Sequence, residues 1–303
     1  MKYVAPSGPL SIGGVLDNWL RLFRASFAAC WPLALLGAVA GVLLELSITP
    51  NLPPQGSAAL QNYLHYWSSF RAPVTILTYI FFWFVSLVVY GALLAQQTAL
   101  VRGGETFSFG DALVQGLRRV PQMVLGGILI VLIVMAIGIP VGIGAAVGMP
   151  LLRRSPLAIL TVMLAVLAAV IVFIYVMARL QLWMAVMFSE DLGGASSLGR
   201  SWDLVKGQWW RVTGVTFVSG IIIWILSAAI GGVGGLVIGI MGIHGSSPEE
   251  MLRRMQLISA AGQVVQLLSM PLLTAVWLAV YQDVRLRREG GDLAARTEAL
   301  SGN

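Results

Sequence analysis

Side chains able to do chemistry are scarce in this chain. It has two histidines and one cysteine among 303 residues. His65 and His244 lie far apart in the sequence, and Cys30 sits in an apolar run beside Trp31. A zinc or di-metal site takes three or four ligands, commonly paired at short spacing, and no such pairing occurs. There is no His-Glu-x-x-His, no phosphate-cradling glycine loop and no Gly-x-Ser-x-Gly elbow. The residues therefore predict no metal, no cofactor and no enzyme activity.

The polar groups that stand out gather in one region. Arg179 and Glu190 mark the polar end of a long apolar run, and "SSLGRSWDLVKGQWWRV" follows at 196–212 with three tryptophans and three cations. An Arg179–Glu190 ion pair would tether the exit of that run. Alternatively, Arg179 would snorkel to the interface or hold a ligand phosphate. Trp202, Lys206, Trp210 and Arg211 combine amphipathic rings with cations, a chemistry suited to anionic lipid headgroups. Arg179, Glu190, Trp202, Lys206, Trp210 and Arg211 form the candidate lipid or ion-pair site.

These residues must be positioned by elements in a membrane. The chain is 58% hydrophobic and 11% charged, with a mean hydropathy of +0.86. Soluble domains carry about 25% charged residues, so a soluble fold of this length could not cover its surface. Six apolar runs, near 28–46, 73–99, 121–148, 157–187, 213–241 and 257–281, each suffice to cross the hydrocarbon layer. The fold class is an all-α polytopic membrane protein forming one membrane domain over 1–303, with a polar tail at 292–303. Counting Lys and Arg on alternate loops gives 13 on the side of both termini and five on the other. The positive-inside rule then places both termini in the cytoplasm. The net charge of +6 is explained by that bias, and no nucleic-acid partner is expected.

Organisation comes from a repeat. "SIG" at 11–13, "SFG" at 108–110 and "SLG" at 197–199 each open an amphipathic stretch followed by a span, and Gly103-Gly104, Gly193-Gly194 and Gly290-Gly291 close the units. The unit is an interfacial amphipathic helix plus two spans, at about 10–104, 105–194 and 195–291. Ser11, Ser108 and Ser197 are the predicted N-caps of the three amphipathic helices. In the third, Leu198, Trp202, Val205, Trp209 and Val212 make one apolar stripe. Gly37/Gly41, Gly138/Gly142 and Gly231/Gly235 carry the i, i+4 spacing that lets helix backbones approach closely in lipid. Gln96, Gln97, Gln181 and Gln282, near span ends, are expected to bind neighbouring helices rather than line a pore.

The residues 178–215, "ARLQLWMAVMFSEDLGGASSLGRSWDLVKGQWWRVTGV", resemble the signature of bacterial six-span proteins of the glycerophosphoryl diester phosphodiesterase membrane domain family. Arg179, Glu190, Ser201, Trp202, Leu204, Gly207, Trp210 and Arg211 match its pattern, and "LSIGGVLDNWLRLFRASF" and "YQDVRLRREGGDL" resemble its ends. A departure is Asp191-Leu192-Gly193 after Glu190, where the family's acidic residue leads straight into glycine. The resemblance implies a bacterial inner-membrane protein. Some relatives carry a catalytic barrel after this region, but with 282–303 alone following the sixth run none is expected here. Together the observations predict a non-enzymatic membrane protein, lipid-interacting or a scaffold or accessory subunit, whose partners are anionic headgroups of the cytoplasmic leaflet. The alternative is a transporter or channel for a lipid or small solute.

Overall fold

A computed structural model describes residues 3–48, 71–152, 156–240, 262–263 and 265–301. Every regular element among them is helical: α1 (Ile12–Ile48), α2 (Arg71–Val101), α3 (Phe109–Leu152), α4 (Pro156–Leu180), α5 (Trp183–Ser189), α6 (Gly194–Val205), α7 (Trp209–Ile240) and α8 (Gln266–Ser301). Five stretches are long and apolar enough to cross a membrane: Ile12–Leu44, Pro73–Val101, Phe109–Gly144, Leu160–Ser189 and Trp209–Val233. Their most apolar windows are at most one-third buried, and that of Leu160–Ser189 is not buried at all. Leu160, Met163, Leu164 and Leu167 are among the side chains facing outward. Apolar surface on this scale requires a hydrocarbon surrounding, so the chain is a multi-pass helical membrane protein. His65, His244 and the first residues of the sixth apolar run lie outside the described residues.

The amphipathic stretches do not form three separate interfacial helices. The first is continuous with its span in α1 and the second with its span in α3. Each helix runs on through a proline near its junction, Pro32 in α1 and Pro121 in α3, losing one intrahelical hydrogen bond there but not its continuity. The third is separate because Gly207 adopts φ +83° between α6 and α7, a left-handed conformation that glycine takes without steric cost. Ser11 and Ser108 do cap their helices, accepting from Gly14 N–H at 3.1 Å and Asp111 N–H at 3.2 Å. Ser197 does not cap α6: it lies inside the helix and donates to the Gly194 carbonyl at 2.8 Å. The fourth apolar run also differs from the single long helix expected. It breaks at Gln181–Leu182 into α4 and α5, and α5 buries Trp183, Ala185, Val186, Met187 and Phe188.

The three Gly-Gly doublets play three different parts. After α2, Gly104 N–H bonds Ala99 O and Gly103 N–H bonds Leu100 O, each at 3.0 Å, with Gly103 at φ +77°. This is the glycine-terminated Schellman geometry that satisfies the last carbonyls of a helix. Gly193-Gly194 instead begins α6, and Gly290-Gly291 runs on within α8.

The chain divides into two compact units, one of 1–5, 16–120 and 218–276, the other of 6–15, 121–217 and 277–303. In the first, Cys30 and Leu33 of α1, Val89, Ala92 and Leu93 of α2, Ala112 of α3 and Met270 of α8 make a buried cluster. Polar bonds cross between its helices: Trp19 Nε1 donates to Leu272 O and Gln97 Nε2 to Pro271 O, both at 2.9 Å. Gln96 pairs with the backbone of Phe107 through both amide atoms at 2.8 Å.

The close helix approaches use glycines only partly foreseen. A Cβ on Gly37 would touch Met270, and one on Gly41 would overlap Gln263. Around Gly138, Gly142 and Gly231, by contrast, nothing lies within 4 Å of a built Cβ, so these three make no tight contact in this chain; the surroundings of Gly235 lie outside the described residues. The tightest backbone approach in the first unit is Gly116, where a Cβ would stand 2.4 Å from Val88 O.

Candidate functional site

Four of the six candidate residues take part in three local arrangements of the second unit, two of them built around α6. The start of this helix is fixed by a close approach. Gly194 N–H donates to Gln122 Oε1 of α3 at 2.9 Å, and a Cβ on Gly194 would lie 2.3 Å from Gln122 O. Only glycine permits that contact. Its other end is released by Gly207, which turns the chain into α7.

Arg179, in the last turn of α4, is almost fully buried. Its Nε and Nη2 donate to Trp202 O at 3.0 and 2.6 Å, and Nη1 to Tyr175 Oη at 2.5 Å. Trp202 is four residues from the start of the α6–α7 turn, so its carbonyl is one of those a helix end leaves without an internal partner. The guanidinium thus caps the C-terminus of α6, where the helix dipole favours a cation. Its plane also lies over the Trp202 ring at 4.1 Å, a favourable contact between a cation and an aromatic face. Tyr175 meets Trp202 and Trp209 edge-on at 6.0 and 5.5 Å, and Ser201 Oγ donates back to Arg179 O at 2.8 Å.

Glu190 does not pair with Arg179, contrary to the sequence expectation. With Arg179 satisfied by a carbonyl, Glu190 accepts from Arg200 Nε at 2.9 Å and from Tyr281 Oη at 2.9 Å. Arg200 also reaches Glu289, which accepts from Arg285 Nε at 2.7 Å, and Arg285 Nη1 donates to Tyr281 Oη at 3.2 Å. The five side chains close a ring in which Glu190, Arg200, Glu289 and Arg285 alternate in charge and the neutral Tyr281 hydroxyl links Arg285 back to Glu190. The hydrogen bond to Glu190 is the largest influence raising the Arg200 guanidinium, against the opposing effect of burial. Burial alone would raise the Glu289 carboxyl, but hydrogen bonds from Arg285 and Arg200 outweigh it and hold the group below its usual value.

Arg211 belongs to a third arrangement, around Asp283. The Asp283 side chain is 3% exposed and accepts from Arg211 Nε at 2.9 Å. It also accepts from Arg287 Nε at 3.2 Å and from Leu10 N–H at 2.9 Å. Both arginines donate in addition to Leu10 O, so two guanidiniums converge on one carbonyl with a single buried carboxylate between them. Lys206 and Trp210 stand apart from these networks. Both are exposed at the α6–α7 turn, Trp210 by 73%, with its ring stacked on Trp209 at 4.0 Å.

The arrangements perform electrostatic locking: each named carboxylate is matched by arginines and each buried arginine by acceptors. Among the described residues no group of three His, Cys, Asp or Glu could hold a metal ion. Sequence reasoning passed over Tyr175, Tyr281, Asp283, Arg287 and Glu289 as site residues. A local signal existed for two pairs, since Asp283/Arg287 and Arg285/Glu289 have the i, i+4 spacing of helix ion pairs.

Comparison with curated proteins and with solved structures gives no match. A family profile described as a domain of unknown function, DUF7847, matches residues 28–284. That range contains Arg179, Glu190, Arg200, Trp202, Arg211, Tyr281 and Asp283, and it spans most of the chain. The chain belongs to the DUF7847 family.

Proposed function

We propose that this protein is a lipid-interacting, non-enzymatic component of the bacterial inner membrane, with six spans in three repeats and both termini in the cytoplasm. In this reading it is akin to the glycerophosphoryl diester phosphodiesterase membrane domain proteins and binds anionic headgroups of the cytoplasmic leaflet. The observation that carries the reading is the exposed turn between α6 and α7. Lys206 and Trp210 face outward there, beside an arginine-rich region whose own charges are internally matched. An ammonium and an indole left free at the end of an apolar helix suit the headgroup layer, where each basic residue contributes about 1 kcal/mol and the indole is amphipathic.

The test is to purify the full chain from its membrane and compare co-purified lipid with bulk lipid by native mass spectrometry. Anionic phospholipid is expected to be enriched about fivefold, following from that contribution per cation. A Lys206→Gln/Trp210→Ala variant should lose most of the enrichment. Co-purified lipid of bulk composition in the wild type would sink the reading.

A further inference from the structure

Within the second unit a groove of about 450 Å³ runs along α4 and α7, inside the range of about 300–1,000 Å³ typical of small-molecule sites. Ile130, Phe173, Ile174 and Phe217 contribute apolar wall, and Gln181, Thr213 and Thr216 contribute the polar part. Gln181 Nε2, Thr213 Oγ1 and Thr216 Oγ1 are buried and have no hydrogen-bond partner. Other buried polar atoms, among them Gln97 Oε1, Thr98 Oγ1 and Ser219 Oγ, also have no partner, but these three line one groove. A helical threonine can turn its hydroxyl to the carbonyl four residues back, and Thr78 does so at 2.8 Å to Val74 O. Gln96 and Gln97 likewise find backbone carbonyls, whereas the Gln181 amide nitrogen does not.

Gln181, Thr213 and Thr216 lie within the candidate spans Leu160–Ser189 and Trp209–Val233, where no water competes and an unmet polar group is costly. Thr213 and Thr216 share a face of α7, being three residues apart. An apolar trough with an amide and two hydroxyls at its side needs an occupant that is mostly methylene and carries free acceptor oxygen. A transmembrane helix of a second copy would supply the methylenes, but its backbone carbonyls are already engaged in its own hydrogen bonds. The ester region of a lipid has carbonyl oxygens to spare.

We propose that this groove holds one acyl chain of a glycerophospholipid, with an ester carbonyl accepting from the Gln181 amide and the threonine hydroxyls. The proposal rests on the reading of the chain as a lipid-interacting membrane protein, and it adds the site.

The full chain, purified in mild detergent and then exposed to mixed micelles of phosphatidylethanolamine and phosphatidylglycerol, is assayed by native mass spectrometry for lipid retained through delipidation. Wild type is expected to keep one phospholipid per chain. Thr213→Val/Thr216→Val preserves shape and should lower retention about tenfold, the effect of two ordinary hydrogen bonds. Thr213→Ser/Thr216→Ser keeps the hydroxyls and should restore it, which separates ligand contact from misfolding. Ile174→Trp, filling the trough, should abolish retention. Equal retention by wild type and the valine pair would overturn the proposal, as would groove variants that change the monomer–dimer ratio while leaving lipid unaffected. Lys206→Gln/Trp210→Ala should alter headgroup preference yet leave the retained lipid in place. Loss of the groove effect alone refutes the site, and loss of headgroup preference alone refutes the broader function.

Discussion

Replacing Asp283 by alanine should be among the most damaging single changes at the polar end of the second unit. The carboxylate is 3% exposed and takes hydrogen bonds from Arg211, Arg287 and the Leu10 amide. Each bond to an ionised group contributes about 1.5–3 kcal/mol, but such values do not add, because the donors share one acceptor. Removing one partner of a buried ion pair costs about 3–5 kcal/mol. Arg211 and Arg287 are 22% and 29% exposed, so they can turn partly to solvent, which places the cost near the lower end, about 3 kcal/mol. Asp283→Asn keeps an acceptor oxygen and loses the charge, and should fall between wild type and the alanine variant. Because both arginines also converge on Leu10 O, the alanine variant unmasks their mutual repulsion. Asp283→Ala/Arg287→Ala should therefore be less destabilised than the sum of its single variants by about 1 kcal/mol or more. The assay is reversible unfolding in mixed micelles, followed by tryptophan fluorescence across a denaturant series. An Asp283→Ala midpoint corresponding to less than about 0.5 kcal/mol, or strict additivity in the cycle, would refute the reasoning.

Gly194→Ala should cost about 2 kcal/mol by forcing the α3 and α6 backbones apart, since its Cβ would lie 2.3 Å from Gln122 O. Gly199→Ala, in the same helix with open space around it, should be neutral or stabilising by up to about 1 kcal/mol, and the two midpoints measured side by side decide the matter. Arg179→Lys loses the paired donation to Trp202 O and the contact with the indole face, and should destabilise by about 2 kcal/mol despite keeping the charge; an unchanged thermal midpoint contradicts this. Glu289 is held below the ordinary carboxylate value, so its stabilising effect is complete above about pH 4.3 and fades as pH falls through the lowered folded value. Wild type should therefore lose more stability than Glu289→Gln on acidification from pH 6 to pH 3, and parallel curves exclude the role.

What the sequence made legible was whatever depends on neighbours in the chain. The apolar runs, the caps at Ser11 and Ser108 and the apolar stripe with Leu198, Val205 and Val212 buried are all local consequences of residue type at helical spacing. The separation of amphipathic stretch from span was not legible by the same rule, because it depends on whether a residue at the junction takes a positive φ, as Gly207 does. The pairing of charges was least accessible. Arg200 lies ten residues from Glu190 and Arg211 lies 72 from Asp283, and which carboxylate meets which guanidinium is decided by the packing of α6, α7 and α8 rather than by spacing. The glycine approaches behave likewise: Gly194 and Gly116 matter because another backbone arrives there, which the i, i+4 pattern of Gly138 and Gly142 does not report.

The junction of Leu10, Arg211 and Asp283 also sets an order of events during synthesis. Leu10 and Asp283 are 273 residues apart, and chains grow at about 5–20 residues per second. The amino-terminal segment therefore waits on the order of tens of seconds for its carboxylate to be made. Arg211 emerges in that interval with its buried acceptor still unsynthesised. The last helix therefore completes the second unit: Leu10, Arg211 and Glu190 all take partners from α8, at Asp283 and Tyr281, and none of these bonds can form before α8 is made.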